Sequence, residues 1–485
     1  MALYMASLGA VSAIILVIAV IAVLLVLIYM IGKDIYLLTL HPLANFPGPI
    51  LTAISRVPYW EACLTGNQVA WMHNLHSKYG PVVRYSPNEL SFIDQGGAEW
   101  KAIHGHERGG RELPKAPECA PSHEDHRRFR KLFSPAFSDR ALKSNEPILR
   151  KHVGLLMSKL GEAVQGCCTV DMLQMFQFTT FDFMGDLTFG QTLGLLNDLK
   201  YSGWVESLFN SLKVIPAIQF IQYYPWLSAL FRLLEPQSVK DMKYQHFKHS
   251  ADRVDIRLAR GADTPDIWTM VLAAKGNQKL SLDEMYCHAD VFMLAGTETT
   301  GTSLSGMTYH LLTNPEKLAI LTKEIRSHFA QDADINLQST AGLEYLNACV
   351  PRVVTAAAGR TIGNRWVAPG TRVSVNHYAT YRSSLNFKNP DTFVPERWIT
   401  TTNSGAGDSS LYKDDRRDSF QPFGYGPRDC QGRNLAMHEM RYIMSRLLFN
   451  FDVSLNNESV GWTKQRAFVL WEKKPLLCKL QAAAS

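Results

Sequence analysis

Apolar and polar residues follow three different patterns along this chain. From Leu8 to Ile31 the sequence is continuously apolar and uncharged. Between about 120 and 350 apolar residues recur at helical spacing, as in EPILRKHVGLLMSKLGEAV. From about residue 360, prolines, glycines and alternating β-branched residues favour short strands, as in RTIGNRWVAPGTRVSVNHYATYR. The pattern predicts a mainly α protein with small β-sheets, an α+β fold, preceded by one very apolar helix.

The apolar N-terminus predicts a membrane anchor. A helix over Leu8 to Ile31 would be about 36 Å long, enough to cross a hydrocarbon core of ~30 Å. A cleaved signal peptide has a shorter apolar stretch and a basic start, which are absent here. Lys33 and Arg56 follow the span, and positive charge beside an anchor predicts that the body lies in the cytosol.

A proline-rich stretch, HPLANFPGP, follows at residues 41–49 and predicts a stiff, non-helical hinge. No comparable linker or internal repeat divides the rest of the chain. The predicted organisation is an anchor over residues 1–32, a hinge over residues 33–58 and one catalytic domain over residues 59–485.

The segment at residues 211–234, SLKVIPAIQFIQYYPWLSALFRLL, is also unusually apolar. Pro216 and Pro225 interrupt it, which argues against a second membrane-spanning helix. Two interpretations stay open at this point: ordinary core, or a substrate entrance that dips into the membrane.

Composition excludes several classes of protein. The net charge of +6 over 485 residues is mild, and the basic residues are scattered rather than clustered as in a nucleic-acid binder. Eight cysteines without C-x-x-C spacing indicate neither a zinc framework nor a disulfide scaffold, and they fit a reducing compartment.

One cysteine has neighbours that indicate chemistry. The stretch FGYGPRDCQG places Cys430 in a glycine-rich turn directly before a helical pattern. A helix N-terminus and the nearby Arg428 would favour a thiolate. Phe423 could shield the sulfur from water, and Gly426 and Gly432 would let the main chain approach a flat ligand. The turn therefore predicts that the Cys430 thiolate is the single axial ligand of a bound metal.

The pattern Phe-x-x-Gly-x-Arg-x-Cys-x-Gly resembles the haem-binding signature of cytochrome P-450, the haem-thiolate monooxygenases. The resemblance runs from the anchor to residue 485 and looks closest to fungal microsomal members of secondary metabolism, such as trichothecene hydroxylases. It implies a cytochrome P-450-like fold and haem b, with Cys430 as the axial ligand of the iron and thiolate donation favouring O–O cleavage. It also implies hydroxylation of an apolar small molecule, with electrons from NADPH through a reductase. The implied location is the endoplasmic reticulum membrane, with a single span.

A second motif, MLAGTETT at residues 293–300, resembles the family's helix above the haem. By this resemblance Gly296 leaves room for dioxygen, and Glu298 and Thr299 form the proton-delivery pair. A helix that merely faces the core is the alternative from the residues alone. A hydroxyl beside a carboxylate is chemically suited to relaying a proton.

Three basic residues resemble contacts to the haem propionates. His126 and Arg130 lie in HRRFR, which without the resemblance would be only a basic helix face. Arg352, in PRVV, occupies a further propionate position by similarity or is a plain surface arginine. Arg397, in FVPERW, resembles the arginine that locks the family's fold beneath the haem.

One family motif is missing. A helix carrying Glu-x-x-Arg should follow LEYLNACV, but residues 343–350 run directly into PRVVTAAAGR, and Pro351 ends the helix after about two turns. Arg397 is then expected to lack its carboxylate unless another one replaces it. Mis-splicing and a degenerating paralogue both remain open.

The missing motif keeps alternative functions open. A haem-poor pseudoenzyme is the first alternative, and poor haem retention by this chain is the expectation that follows. A haem isomerase that rearranges peroxides is the second, although Glu298 and Thr299 argue against it. A membrane scaffold would not need the cysteine turn.

Overall fold

The computed structural model describes residues 2–100, 123–260, 266–273, 276, 279–350, 366–399 and 409–483. Within these ranges the chain is mainly helical, as predicted. The α-helices are α1 Ala2–Thr39, α2 Ile50–Ile54, α3 Val57–Leu64, α4 Gln68–Tyr79, α5 His123–Phe133, α6 Asp139–Gln165, α7 Met172–Phe189, α8 Leu195–Asp198, α9 Gly203–Tyr223, α10 Pro225–Leu234, α11 Gln237–Ala259, α12 Ile267–Ala273, α13 Leu282–Leu312, α14 Pro315–His328, α15 Glu344–Cys349, α16 His377–Tyr381 and α17 Arg433–Asn450.

Eight short strands form small sheets in the part of the chain that the structure describes. One sheet has the order β1-β2-β4, with β1 and β2 antiparallel and β2 and β4 parallel; a second has the antiparallel order β3-β8-β5, and β6 pairs with β7. Their bounds are β1 Val82–Ser86, β2 Glu89–Phe92, β3 Val170–Asp171, β4 Arg372–Val375, β5 Phe451–Leu455, β6 Arg466–Ala467, β7 Trp471–Glu472 and β8 Leu477–Ala482.

The predicted strand region after residue 360 is only partly extended. Residues 351–365 lie outside the described part of the chain, and β4 forms at Arg372–Val375. The following HYATY is a helix, contrary to the strand prediction. The side chain of Asn376 accepts a hydrogen bond from the N–H of Ala379 and so caps the first turn.

The core forms where α6 and α17 pack around α7 and α13. Almost every residue of α7 is buried, because this helix lies along α13 and is covered on its other sides. A capping box between Ser281 and Glu284 begins α13, which then continues for 31 residues. This long helix carries the MLAGTETT motif through the middle of the body.

The N-terminal helix is long and apolar enough to cross a membrane over Ala13–Thr39, and the side chains of its most apolar stretch are exposed. It does not stop at residue 32: α1 continues unbroken to Thr39, so residues 33–39 of the predicted hinge are helical. Residues 41–49 form turns, in agreement with the three prolines. The helix therefore continues seven residues beyond the predicted boundary between anchor and hinge, and the boundary itself stays a prediction.

Arg84 joins the end of α1 to the body. Its buried guanidinium donates to the backbone oxygens of Leu37 at 2.9 Å and of Pro87 at 2.8 Å. Its backbone N–H donates to the oxygen of Pro47 at 2.7 Å. A side chain at Gly48 would come within 2.3 Å of the Arg84 oxygen, so only glycine fits there. The helix end and the proline turns are thus fixed to β1.

Arg56, which follows the anchor in the sequence, is enclosed in the body of the protein. It is buried, pairs with Glu89 at 2.6 Å, and lies over the rings of Tyr59, Trp60 and Tyr223 at 4.4–4.9 Å. Arg56 is thus enclosed in the folded body, and the cytosolic side of the body stays a prediction. Only Lys33 of the two predicted residues is exposed beside the anchor.

The apolar segment at residues 211–234 forms the end of α9 and all of α10. Trp60 of α3 packs against Phe220 and Tyr223, which brings this segment next to the residues that follow the anchor. No residue of α10 is buried, and Trp226 and Leu233 are 68% and 81% exposed. The interpretation of this segment as ordinary core therefore does not hold for α10.

Candidate active site

The cysteine turn is held by main-chain hydrogen bonds. The N–H of Cys430 donates to the oxygen of Phe423 at 2.8 Å, and the N–H of Asp429 donates to the oxygen of Gly426 at 3.0 Å. Gly424 and Gly426 have φ angles of 76° and 82°, which favour glycine. The turn is rigid without relying on the Cys430 side chain, and that side chain is exposed.

The helix that follows begins at Arg433, with Gly432 at its N-cap. The Cys430 sulfur reaches solvent on one side, but the protein packed closely around its other sides removes enough water to raise the pKa of the thiol, while the Gly432 N–H and the charges of Arg130 and Arg433 act in the opposite direction. The predicted cation, Arg428, is exposed. Without a metal the helix terminus therefore does not outweigh burial, and a bound cation would be what makes the thiolate stable.

Arg130 reaches the cysteine turn from α5. Its guanidinium forms an ion pair with the carboxylate of Asp429 and donates to the Asp429 backbone oxygen at 2.6 Å. The Gln431 side chain donates to the backbone oxygen of Arg130 at 3.3 Å. His126 lies one turn earlier on α5 and is partly buried, and Arg352 lies outside the described residues. The structure thus brings one predicted basic residue directly to the turn.

The helices α13 and α17 contact each other beside this turn. Thr300 donates a hydrogen bond to the carboxylate of Glu439 at 3.3 Å. Glu439 is fully enclosed, and burial raises its pKa to about 8, with the Thr300 hydrogen bond opposing the shift. Phe292 of α13 packs against Phe137, which in turn lies beside Gly432. The two predicted motifs therefore belong to neighbouring helices.

One face of α13 is exposed although the helix crosses the core. Val291, Ala295 and Thr299 recur every four residues on that face, while Met293 and Thr297 are buried on the others. The Thr299 hydroxyl donates to the backbone oxygen of Ala295 at 2.6 Å. Solvent therefore reaches this stripe in the middle of a core helix.

Glycine at position 296 is required by packing. A Cβ there would come within 2.7 Å of the Sδ and Cε atoms of Met184 on α7. The close approach of α7 to α13 is a reason for Gly296 that the motif itself did not indicate. Room for dioxygen, the role implied by the resemblance, stays a prediction.

Glu298 points away from the face that carries Thr299. Its carboxylate pairs with Lys473 and accepts a hydrogen bond from Gln177 at 2.6 Å. The two members of the predicted proton-delivery pair therefore lie on different sides of α13 in this structure.

Arg397 has a carboxylate partner. Its guanidinium pairs with Asp415, and both side chains are almost fully buried, at 7% and 3% exposed. It also donates to the Lys388 backbone oxygen at 3.0 Å. As predicted, the helix before Pro351 is short, since α15 ends at Cys349. Of the two possibilities stated for Arg397, the structure shows the second: another carboxylate, that of Asp415, is its partner.

The residues present fit a haem. Cys430 supplies one exposed sulfur, and no group of three or more His, Cys, Asp or Glu side chains among the described residues could hold a bare metal ion. A porphyrin brings its own equatorial ligands and needs one axial thiolate. The exposed stripe on α13 offers small and apolar side chains that would suit contact with a flat ligand.

Comparison with known proteins agrees with this site. The family profile of cytochrome P-450 matches residues 56–479. The cytochrome P-450 monooxygenase efuB of Hormonema carpetanum is 40% identical over 94% of this chain and 95% of its own length. The cytochrome P-450 monooxygenase FUM2 of Gibberella moniliformis is 38% identical over 93% and 100%. The averantin hydroxylase of Dothistroma septosporum is 35% identical over 92% and 88%.

The chain belongs to the cytochrome P-450 family, and it is an oxidoreductase of the monooxygenase type. The resemblance stated from the motifs is confirmed, as is the mainly helical fold with small sheets.

Four residues of the site region were missed by the sequence analysis. Asp429 adjoins Cys430, so its place inside the turn could have been noticed. Asp415, Glu439 and Lys473 are distant in sequence from the residues that they contact. No local pattern indicates such pairings.

Proposed function

We propose that this protein is a membrane-anchored, haem-dependent monooxygenase that hydroxylates an apolar small molecule, with electrons from NADPH supplied by a haemoprotein reductase. The observation that carries the proposal is the rigid turn that presents the Cys430 sulfur just before α17, a helix that contacts α13. Membership of the cytochrome P-450 family supports it. A bound haem would supply oxygen activation, and the protein would supply position, dryness and protons.

The chain's own residues would divide this work. Cys430 would hold the iron, and Phe423, which packs against the core, would limit access of water to the sulfur. Arg130 would keep the turn in place through Asp429. Val291 and Ala295 would border the substrate, and the Thr299 hydroxyl would move a proton on the same face.

Thr299→Ala is expected to uncouple the reaction, so that NADPH consumption continues while product falls and hydrogen peroxide rises. Loss of a positioned proton relay typically costs ~10²–10⁴-fold, and even partial bypass by water should lower the product yield per NADPH roughly tenfold. The measurement is product and peroxide per NADPH with reductase and a substrate found by a binding-spectrum screen. Thr299→Ser keeps the hydroxyl and should remain coupled. Equal coupling in both variants would place the relay elsewhere.

The membrane location is proposed to be the endoplasmic reticulum, with the body in the cytosol and α10 lying on the bilayer. Support comes from α1 and from the exposed apolar residues of α10, a helix that follows directly after Tyr223, the residue of α9 that packs against Trp60 of α3. An apolar surface beside an anchor favours contact with lipid, since its burial in the acyl boundary releases water. Apolar substrates could enter from the bilayer by this side.

Carbonate extraction of microsomes is expected to leave the full chain in the pellet, and protease added outside sealed microsomes should digest the body. A chain lacking residues 2–32 should lose most of its resistance to extraction, because α10 alone offers an interfacial contact and not a span. A body that resists added protease until detergent is present would reverse the proposed orientation.

A role in secondary metabolism is proposed from the relatives, which include a fungal averantin hydroxylase.

The short α15 favours one alternative to an active monooxygenase, a haem-poor pseudoenzyme. An absorbance scan of the purified chain distinguishes the two, because the pseudoenzyme would show little Soret absorbance per protein.

A further inference from the structure

A pocket of about 270 Å³ lies beside Cys349, the last residue of the short helix α15. Its lining includes His310, near the C-terminal end of α13, and Tyr381, the last residue of α16. Among the residues that the structure describes, neither the Cys430 turn nor the exposed stripe of α13 lines this pocket. Its volume is just below the ~300 Å³ at which pockets for drug-sized ligands begin, so it suits a ligand of one or two rings.

Aromatic rings contribute much of this lining. The ring centroid of Phe420 lies 4.5 Å from that of Tyr381 and 4.9 Å from that of Trp398. Phe393 stacks on the imidazole of His310, with ring centroids 5.4 Å apart and an angle of 15° between the planes. All five side chains line the pocket. Because aromatic rings attract one another through their faces and edges, this lining favours a planar aromatic ligand over an aliphatic one.

Two arginines line the pocket, and they differ in how firmly they are paired. Arg397 is buried and forms its ion pair with the buried carboxylate of Asp415. The side chain of Arg382 is 33% exposed, and its Nε atom lies 3.4 Å from the carboxylate of Asp391, which is 74% exposed. An exposed pair of this kind is weak, so Arg382 can exchange Asp391 for the carboxylate of a ligand at little cost. A cationic ligand would instead be repelled by Arg382.

The other two titratable groups named in this lining are neutral and leave Arg382 to bind the anion. The Tyr381 hydroxyl accepts a hydrogen bond from the backbone N–H of Gln421 at 3.0 Å. Burial raises the pKa of Tyr381, so the hydroxyl keeps its proton and can donate it to a ligand. Burial and the charge of Arg382 both lower the pKa of His310, so its imidazole is uncharged at neutral pH.

We propose that this pocket is a binding site for a small planar aromatic carboxylic acid, whose ring lies among the aromatic side chains and whose carboxylate binds Arg382. The site is separate from the proposed haem site, and no bond is made or broken in it. Arg382 is accessible from solvent, which gives the carboxylate its position at the mouth of the pocket.

Occupancy of this pocket would restrain the segment that leads into the cysteine turn. Phe420 lines the pocket three residues before Phe423, the first residue of the turn. Gln421, between them, is bonded through its N–H to the hydroxyl of Tyr381. A ligand that binds only the folded state stabilises that state, so the acid should raise the thermal unfolding midpoint of the protein.

The first test compares three probes of similar shape on the purified full chain: 2-naphthoate, the uncharged 2-naphthalenemethanol and the cationic 2-naphthylmethylammonium. By isothermal titration calorimetry, 2-naphthoate should bind roughly tenfold more tightly than the alcohol, because a hydrogen bond to a charged group is stronger than one to a neutral group. The ammonium compound should bind most weakly. Absence of naphthoate binding, or naphthoate binding no tighter than that of the alcohol, would overturn the proposal.

Arg382→Gln tests the position of the carboxylate. It should weaken the binding of 2-naphthoate roughly tenfold and leave the binding of the alcohol unchanged, because only the charge-assisted hydrogen bond is lost. The matched control is Arg150→Gln, which removes another partly exposed arginine with a carboxylate partner, Glu146 on α6. The control should bind both probes as the unmodified chain does. Equal affinity for 2-naphthoate in the two variants would contradict the proposed site.

An absorbance titration separates this pocket from the proposed active site, which an aromatic ring could also enter. Binding beside the haem should shift the Soret band, whereas binding in this pocket should not. A Soret shift that follows the calorimetric titration and persists in Arg382→Gln would place 2-naphthoate in the active site and overturn the proposal. A purified chain without haem would count against the proposed monooxygenase, and calorimetry with the two variants would still decide whether the pocket binds the acid.

Discussion

Cys430→Ala is expected to abolish the thiolate-type carbon monoxide band of the reduced protein and all NADPH-dependent product formation. A glycine turn presents the Cys430 sulfur at the start of a helix, and alanine offers the iron no ligand in its place. The backbone bond from residue 430 to Phe423 does not involve the side chain, so the turn should persist. Circular dichroism should therefore match that of the unmodified chain.

The control for this variant is Cys168→Ala, which removes another exposed cysteine far from the turn. It should leave the carbon monoxide spectrum and the haem content unchanged. A thiolate-type band that survives in Cys430→Ala would assign the axial ligand to a different cysteine and would contradict the proposed site.

Asp415→Asn is expected to destabilise the body by about 3–5 kcal/mol, the range for breaking a buried ion pair by removing one charge. The carboxylate is the partner of buried Arg397, and asparagine keeps the shape while removing the charge. Such a loss is a large part of the ~5–15 kcal/mol that stabilises a typical domain. Urea unfolding followed by circular dichroism measures it.

Asp414→Asn changes the neighbouring, exposed carboxylate and should alter the free energy of unfolding by less than about 0.5 kcal/mol. If Asp415→Asn behaves like this control, the hydrogen bonds from Arg397 to the Lys388 and Asn389 oxygens suffice to hold the arginine. The haem content of the purified, unmodified chain tests the missing segment separately. Low haem occupancy, although Asp415 stabilises the body, would mean that the missing segment has a further role.

Local patterns predicted what depends on neighbours along the chain. The cysteine turn, its glycines and the helix after it could be located because a turn and a helix start are decided within about ten residues. The short α15 was predicted from Pro351 for the same reason. The helical HYATY was missed because β-branched residues and tyrosines suggested strand, although Asn376 is a typical helix cap.

Pairings across the fold could not be predicted in this way. Glu298 and Lys473 are 175 residues apart, and helical periodicity does not specify which helix or hairpin covers a given face. Arg56 is a related case: its place after the anchor gave no sign that Glu89 and three aromatic rings would enclose it.

The joint at Arg84 has a geometric consequence for the proposed membrane-bound form. Because α1 runs without a break to Thr39 and its last turn is bonded to Arg84, the spanning segment and the body share one helical phase. One residue inserted between positions 32 and 33 would rotate the span by about 100° relative to the body and lengthen the connection by about 1.5 Å. The joint at Arg84 thereby fixes the direction in which α1 leaves the body, and the residue count fixes the rotation of α1 about its own axis.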